Sequence, residues 1–354
     1  MATSSAGSYL RAPPTGKGQG YWWQTLKDEQ LLKVRFCDLG LSLERSVLKL
    51  YVDRLYAELQ ARGVEFRPHC WLADEWFSAD GVPGIAIPFY LAHPRLRRLE
   101  KVMMGHVEGG NDNWLMRLLR HEAGHAIDTA YRLRRRRAFR EVFGPVSTPY
   151  PDAYVPRPGS RRYVQHLGGW YAQSHPTEDF AETFAVWLKP GSRWREEYAD
   201  WPALRKLLYV DEAIKSYATM PALVRNRCYI DPCSNDRRTL GDHYRVVQSR
   251  YRERALPRQD ALLKRIFASE PGPNPQRAAA LLRRLTPSLS AQIAERAGCT
   301  KYCVHQLVRS SIGRADQLGL YVSGNPRKVT RTLTDEFFRL TETMQKRPGR
   351  RIVL

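Results

Sequence analysis

The chain has 354 residues, of which 43% are apolar and 26% charged, with 57 Lys and Arg against 36 Asp and Glu. That apolar content predicts a packed core and excludes a wholly disordered chain. No window approaches the ~18 uninterrupted apolar residues that cross a bilayer, which excludes a helical membrane protein.

The first twenty residues mix small, Pro and Gly residues without the apolar stretch of a secretory signal, and are read as a flexible tail. Six cysteines (Cys37, Cys70, Cys228, Cys233, Cys299, Cys303) are too sparse for a disulfide scaffold. A cytoplasmic protein with reduced thiols is expected. Leu41, Leu48, Tyr51, Leu55 and Leu59 recur at helical intervals and predict an amphipathic helix over about 42–62, ending at Gly63. The run Gly84 to Tyr90 is short, β-branched and aromatic, and its Pro88 confines it to a sheet edge.

A helix is predicted from about Asn113 to Arg134, capped by Asn111 or Asn113. Inside it stands His121-Glu122-Ala123-Gly124-His125, the HExxH pattern. Histidines four apart project from successive turns of one face, which suits two nitrogen ligands of a single Zn2+ ion. Glu122 beside them is placed to take a proton from metal-activated water. The flanking Leu115, Leu118, Leu119, Ala126, Ile127 and Ala130 bury this helix, so two unpartnered histidines there would be costly. Asp128, seven residues after His121 on the same face, is expected to hold a ligand imidazole, with a surface salt bridge as the alternative.

Arg132 to Arg140 follows as a basic run, predicting either positive potential beside the cleft, which favours an acidic substrate, or a solvated helix end. Pro176 then opens a further helix through Leu188. Glu178 and Glu182 share a face of it next to Phe184, Ala185 and Leu188, and a cation beside two such buried carboxylates is the simplest account of them. His166 and His175 lie in the same interval and are alternative third ligands, although neither has the metzincin spacing.

From about 85 to 200 the chain resembles gluzincin-type zinc metallopeptidases, and within them the lethal-factor and Pro-Pro endopeptidase branch and bacterial zinc-binding metallopeptidases. The resemblance rests on HEAGH at 121–125, EDFAE at 178–182 and Tyr171 seven residues before Glu178. It implies Glu178 as third zinc ligand, Glu182 as the carboxylate orienting a ligand histidine, and Tyr171 as hydroxyl donor to the oxyanion.

Residues 1–200 carry 28 basic and 23 acidic side chains, whereas 201–354 carry 29 and 13, so the excess is C-terminal. Clustered cations gain affinity for a polyanion by displacing its counterions, which points to nucleic acid as a partner of this region. Ala294, Gly298, Val304 and Leu307 fit a helix-turn-helix at 289–309, with Thr300, Lys301, His305 and Arg309 as its exposed contacts. The Pro271 to Pro275 segment reads as a linker.

The resulting expectation is an α+β protein: a zincin-like metallopeptidase domain at 21–215 and a mainly helical, basic accessory region at 216–354. Its expected activity is zinc-dependent hydrolysis of peptide bonds in a protein or peptide substrate. The alternative is a DNA-binding regulator whose zincin-like core clips or binds a partner protein.

Overall fold

The computed structural model describes residues 20–104, 107–150, 154, 160–217, 219–252, 256–273, 275–298 and 301–346. The predicted N-terminal tail lies, but for Gly20, outside them. The described residues divide into two compact units, one within 20–150 and 160–245, the other comprising Tyr154 and those within 246–346. Both are dominated by helices, and the described residues include one small sheet, an architecture compatible with the α+β class. Among the described residues no helix is long and apolar enough to cross a membrane.

In the first unit α1 (Leu48–Ala61) precedes two parallel strands, β1 (His69–Ala73) and β2 (Gly84–Pro88). Pro88 closes β2 rather than interrupting it, and on the side away from β1 the strand has a single antiparallel bridge, Ala86 to Phe77. The strand residues Ile85, Ala86 and Ile87 are fully buried. α2 (Pro94–Met104) leads to α3 (Asp112–Tyr131), whose N-terminus is capped by the Asn111 side chain accepting from Trp114 N at 2.9 Å. Of the two caps that the sequence offers, Asn111 and Asn113, it is the first. α3 stops where Arg132 turns left-handed at φ 53°.

After α4 (Arg137–Phe143), α5 (Pro176–Leu188) begins with Pro176 in its first turn and His175 as N-cap. Phe180, Ala181, Phe184 and Ala185 of α5 and Leu119, Ala123, Ile127 and Ala130 of α3 are all fully buried. Helix α6 (Leu204–Tyr217) packs on α4 and α5, with Tyr209 edge-on to Phe139 and Phe143.

Residues 219–240 contain no long helix, yet they are stitched to the first unit through backbone hydrogen bonds. Leu223 N and Val224 N donate to Ala130 O at 2.9 and 3.0 Å, and Cys233 N donates to Leu72 O at 2.9 Å. This is why the first unit extends to Arg245, inside α7 (Leu240–Arg252).

The second unit contains α8 (Leu256–Ile266), α9 (Ala278–Ala297), α10 (Lys301–Gln317) and α11 (Pro326–Lys346). Leu263, Leu282, Ile293, Val304, Val308, Leu333 and Phe337 form its core. The predicted linker at 271–275 falls between α8 and α9, within this unit. Gly298, at φ 61°, makes the predicted turn after α9. Ala294, Val304 and Leu307 are buried as the spacing requires, but the two helices run to 20 and 17 residues and extend well beyond 289–309 on both sides.

Candidate metal centre

α3 and α5 lie so close that the HExxH face and the acidic face meet. Nε2 of His121 is 3.0 Å from Oε2 of Glu178, Nε2 of His125 is 3.1 Å from the same oxygen, and the two nitrogens are 3.1 Å apart. The three atoms form a nearly equilateral triangle. Bonds of ~2.0–2.1 Å in tetrahedral array set ligand atoms about 3.3 Å apart, so this His2Glu set matches what Zn2+ takes at a site with an open fourth position. His121 and Glu178 are buried and His125 is half-buried.

The electrostatics describe the same trap for positive charge. Burial pushes the His121 imidazolium toward deprotonation, but its hydrogen bonds to Glu178 and Glu182 overcome this and hold it well above its ordinary value. Burial likewise pushes the Glu178 carboxyl up, and the two histidines reverse that, holding it well below the usual carboxylate range. Ligands hold a metal in their deprotonated forms, so a divalent cation at this place would take over from the proton that His121 otherwise keeps.

Glu182, one turn after Glu178, fixes His121 from behind. Its Oε1 lies 3.0 Å from Nδ1 of His121, while its Oε2 accepts from Leu167 N at 2.8 Å. A carboxylate at Nδ1 sets the tautomer that frees Nε2 as a ligand. Glu122 faces the cavity beside the triangle. Burial raises its carboxyl against the opposing pull of the two histidines, and its Oε2 is buried without a hydrogen-bond partner. An orphaned buried acceptor at this place fits a site that receives water next to a cation.

The cavity measures about 350 Å³ and is lined by Trp76, Phe77, Ser78, Asp80, His121, Glu122, His125, Arg134, Tyr150, Tyr171 and Glu178. Tyr171 packs its ring 5.4 Å from that of His121, and burial pushes its phenol well up. The residue before it, Trp170, adopts φ 61°, a left-handed conformation that a bulky side chain rarely takes and that orients the turn presenting Tyr171.

The alternative ligands are engaged elsewhere. His166 lies with Nε2 2.9 Å from Arg117 O, and burial lowers its pKa to about 4. His175 caps α5, its Nδ1 2.7 Å from Thr177 Oγ1 and its Nε2 2.9 Å from Thr148 O. Asp128 differs from its expected place at an imidazole. Its two oxygens accept from Arg134, from the backbone N at 2.7 Å and from Nε at 2.5 Å, because the left-handed turn at Arg132 folds Arg134 back onto the helix. The salt-bridge alternative describes it, although Asp128 itself is buried and Arg134 only partly exposed. Arg134 in turn brings one charge of the basic run to the cavity wall, where Nη1 also holds Asp80.

Sequence reasoning missed Tyr150, whose hydroxyl donates to Oε1 of Glu178. It also missed the wall formed by Trp76, Phe77 and Ser78. Of the four residues assigned to nucleic acid, Thr300 lies outside the described residues, Lys301 is exposed, and His305 and Arg309 are half-buried. Charge and the α9–α10 turn remain the whole basis of that assignment. The thiols of Cys37, Cys70, Cys228 and Cys233 are free.

Residues 111–192 match the model of a family described as "Putative zinc-binding metallo-peptidase". The matched stretch opens on the cap of α3 and closes just after α5, so it contains both sides of the donor triangle. No curated protein and no solved structure matches the chain. The match supports a zinc metallopeptidase, and the His121, His125 and Glu178 cluster is compatible with one.

Proposed function

We propose that the chain is a peptidase of the gluzincin type, holding one zinc ion on His121, His125 and Glu178 in a zincin-like domain. The observation that carries this reading is the convergence of those three donor atoms, 3.0–3.1 Å apart, beside an unpartnered Glu122 oxygen in an open cavity. When bound there, zinc supplies a Lewis acid that polarises the scissile carbonyl and makes water acidic enough to ionise near neutral pH.

The chain's own residues do the rest. Glu122, its carboxyl raised by burial, is poised as a general base: it accepts the proton of the attacking water and returns it to the leaving amine. Tyr171, kept protonated by its surroundings, donates its hydroxyl to the oxyanion of the tetrahedral intermediate. Glu182 prevents His121 from rotating, and Trp76 and Phe77 supply an apolar wall against which a peptide side chain packs.

The test is profiling of peptide libraries with the intact chain and with Glu122→Gln. The variant is expected to retain zinc and lose turnover. Equal cleavage by both, or a wild-type protein that takes up no zinc, overturns the reading.

A further inference from the structure

The two oxygens of Glu178 have different surroundings. Oε2 completes the triangle with the histidines, whereas Oε1 accepts from the Tyr150 hydroxyl. Tyr150 comes from the loop after α4, 28 residues before Glu178, and it is held there by contacts that are independent of Glu178. Its ring stacks on His175 at 3.9 Å and 18°, and its hydroxyl is also within hydrogen-bonding reach of Thr177 Oγ1. His175 is itself tied to the same loop through Nε2 and Thr148 O, and to the first turn of α5 through Thr177. The loop is thus clamped to the helix end that carries Glu178.

Resting on the metallopeptidase reading above, we infer that Tyr150 is a positioning residue that holds Glu178 as a one-oxygen ligand and so keeps a coordination place open. A free carboxylate beside a divalent ion can chelate through both oxygens, which adds a fifth bond where water or the substrate carbonyl must enter. A phenol donating to Oε1 occupies that oxygen's lone pair and fixes the carboxylate plane, so that Oε2 alone faces the histidines. The residue is half exposed at the cavity rim, with its ring set by stacking rather than by core packing. Removing only its hydroxyl therefore takes away the donor to Oε1 and the reach to Thr177 Oγ1, and leaves the ring stack on His175 and the tie from His175 to Thr148 O.

The experiment compares the full-length wild type with Tyr150→Phe. Zinc dissociation constants are measured by competition with a chromophoric chelator. The unfolding midpoint of the zinc-free protein and the visible spectrum of the cobalt-substituted protein are recorded in parallel. The expected result is a zinc dissociation constant raised roughly 10-fold or more. The zinc-free midpoint is expected to fall by no more than about 4 °C, the loss of one hydroxyl's contacts at a half-exposed residue, and the cobalt bands to weaken as coordination expands from four towards five. A dissociation constant within twofold of wild type together with an unaltered cobalt spectrum overturns the inference while leaving the peptidase reading intact. A wild-type protein without measurable zinc affinity overturns both.

Discussion

Gly124 lies directly against Ala181: a Cβ on Gly124 would stand 2.8 Å from the Ala181 Cα and 3.2 Å from its carbonyl oxygen. Both obstacles are backbone, which cannot swing aside as a side chain can. The middle of the HExxH string therefore sets how closely α5 approaches α3, and with it whether Glu178 reaches the histidines. Helix propensity alone makes Gly124→Ala stabilising by about 1 kcal/mol. The contact predicts the opposite, a loss of about 1–3 kcal/mol from overpacking together with weaker zinc binding as Glu178 is pushed away. Denaturant unfolding of the zinc-free variant and chelator competition decide between them, and a stabilised variant would show that the helices have room to spare.

Much of this site was legible because it is built from two helices whose signals are local. Asn111, the apolar spacing of α3 and Pro176 at the start of α5 each report on their own neighbourhood, and they located both elements. Helical period then put His121 with His125 and Glu178 with Glu182. What the period does not encode is what a face meets. Asp128 shows this: its face was right, but its partner is Arg134, delivered by a left-handed residue that no pattern announced. Tyr150 and the Trp76 to Ser78 wall lie in loops without periodicity, placed by contacts with residues distant in sequence. The segment 219–240 was equally silent, since backbone hydrogen bonds such as Leu223 N to Ala130 O leave no trace in side-chain composition.

Tyr171 and Tyr150 both line the cavity, and their variants should separate. Tyr171→Phe removes a donor assigned to the oxyanion and to no ligand. It should lower kcat by about 10²–10³ while leaving the zinc dissociation constant at the wild-type value. Steady-state kinetics on a cleaved peptide, with zinc titrations alongside, provide the check. An unaltered kcat would remove Tyr171 from the chemistry.

Asp128 makes the converse prediction. It is fully buried and accepts two hydrogen bonds from Arg134, whose side chain is 23% exposed. Asp128→Ala leaves the Arg134 backbone N–H and Nε without their acceptor near the end of α3, while Nη1 keeps Asp80. Breaking a fully buried pair costs more, but with Arg134 partly wetted a loss of about 2–3 kcal/mol is expected. Zinc affinity should hold within twofold, because neither ligand histidine depends on this carboxylate. A fall in zinc affinity as large as that of a ligand variant would return Asp128 to the role its spacing first suggested.

His166 links the fold to pH. Burial holds its imidazole neutral, lowering its pKa to about 4 against the opposing pull of Glu182, whereas in the unfolded chain the ring titrates near its ordinary 6.5. Above pH 6.5 both states are neutral and the folded ring's stabilisation is fully present. As pH falls from 6.5 towards 4 the unfolded chain takes up a proton that the folded one refuses, and up to about 3 kcal/mol of stability is lost. His121 has the opposite sign, since a raised imidazole stabilises at low pH and loses its effect as pH rises through the folded value. The raw pH profile of the zinc-free protein mixes the two. Subtracting the profile of His166→Gln from that of the wild type isolates the first, because the variant retains His121. The difference should decline steadily between pH 6.5 and 4 in urea unfolding. A difference independent of pH over that window would mean that the folded ring takes up its proton as readily as the unfolded one, so that burial beside Arg117 O does not keep it neutral.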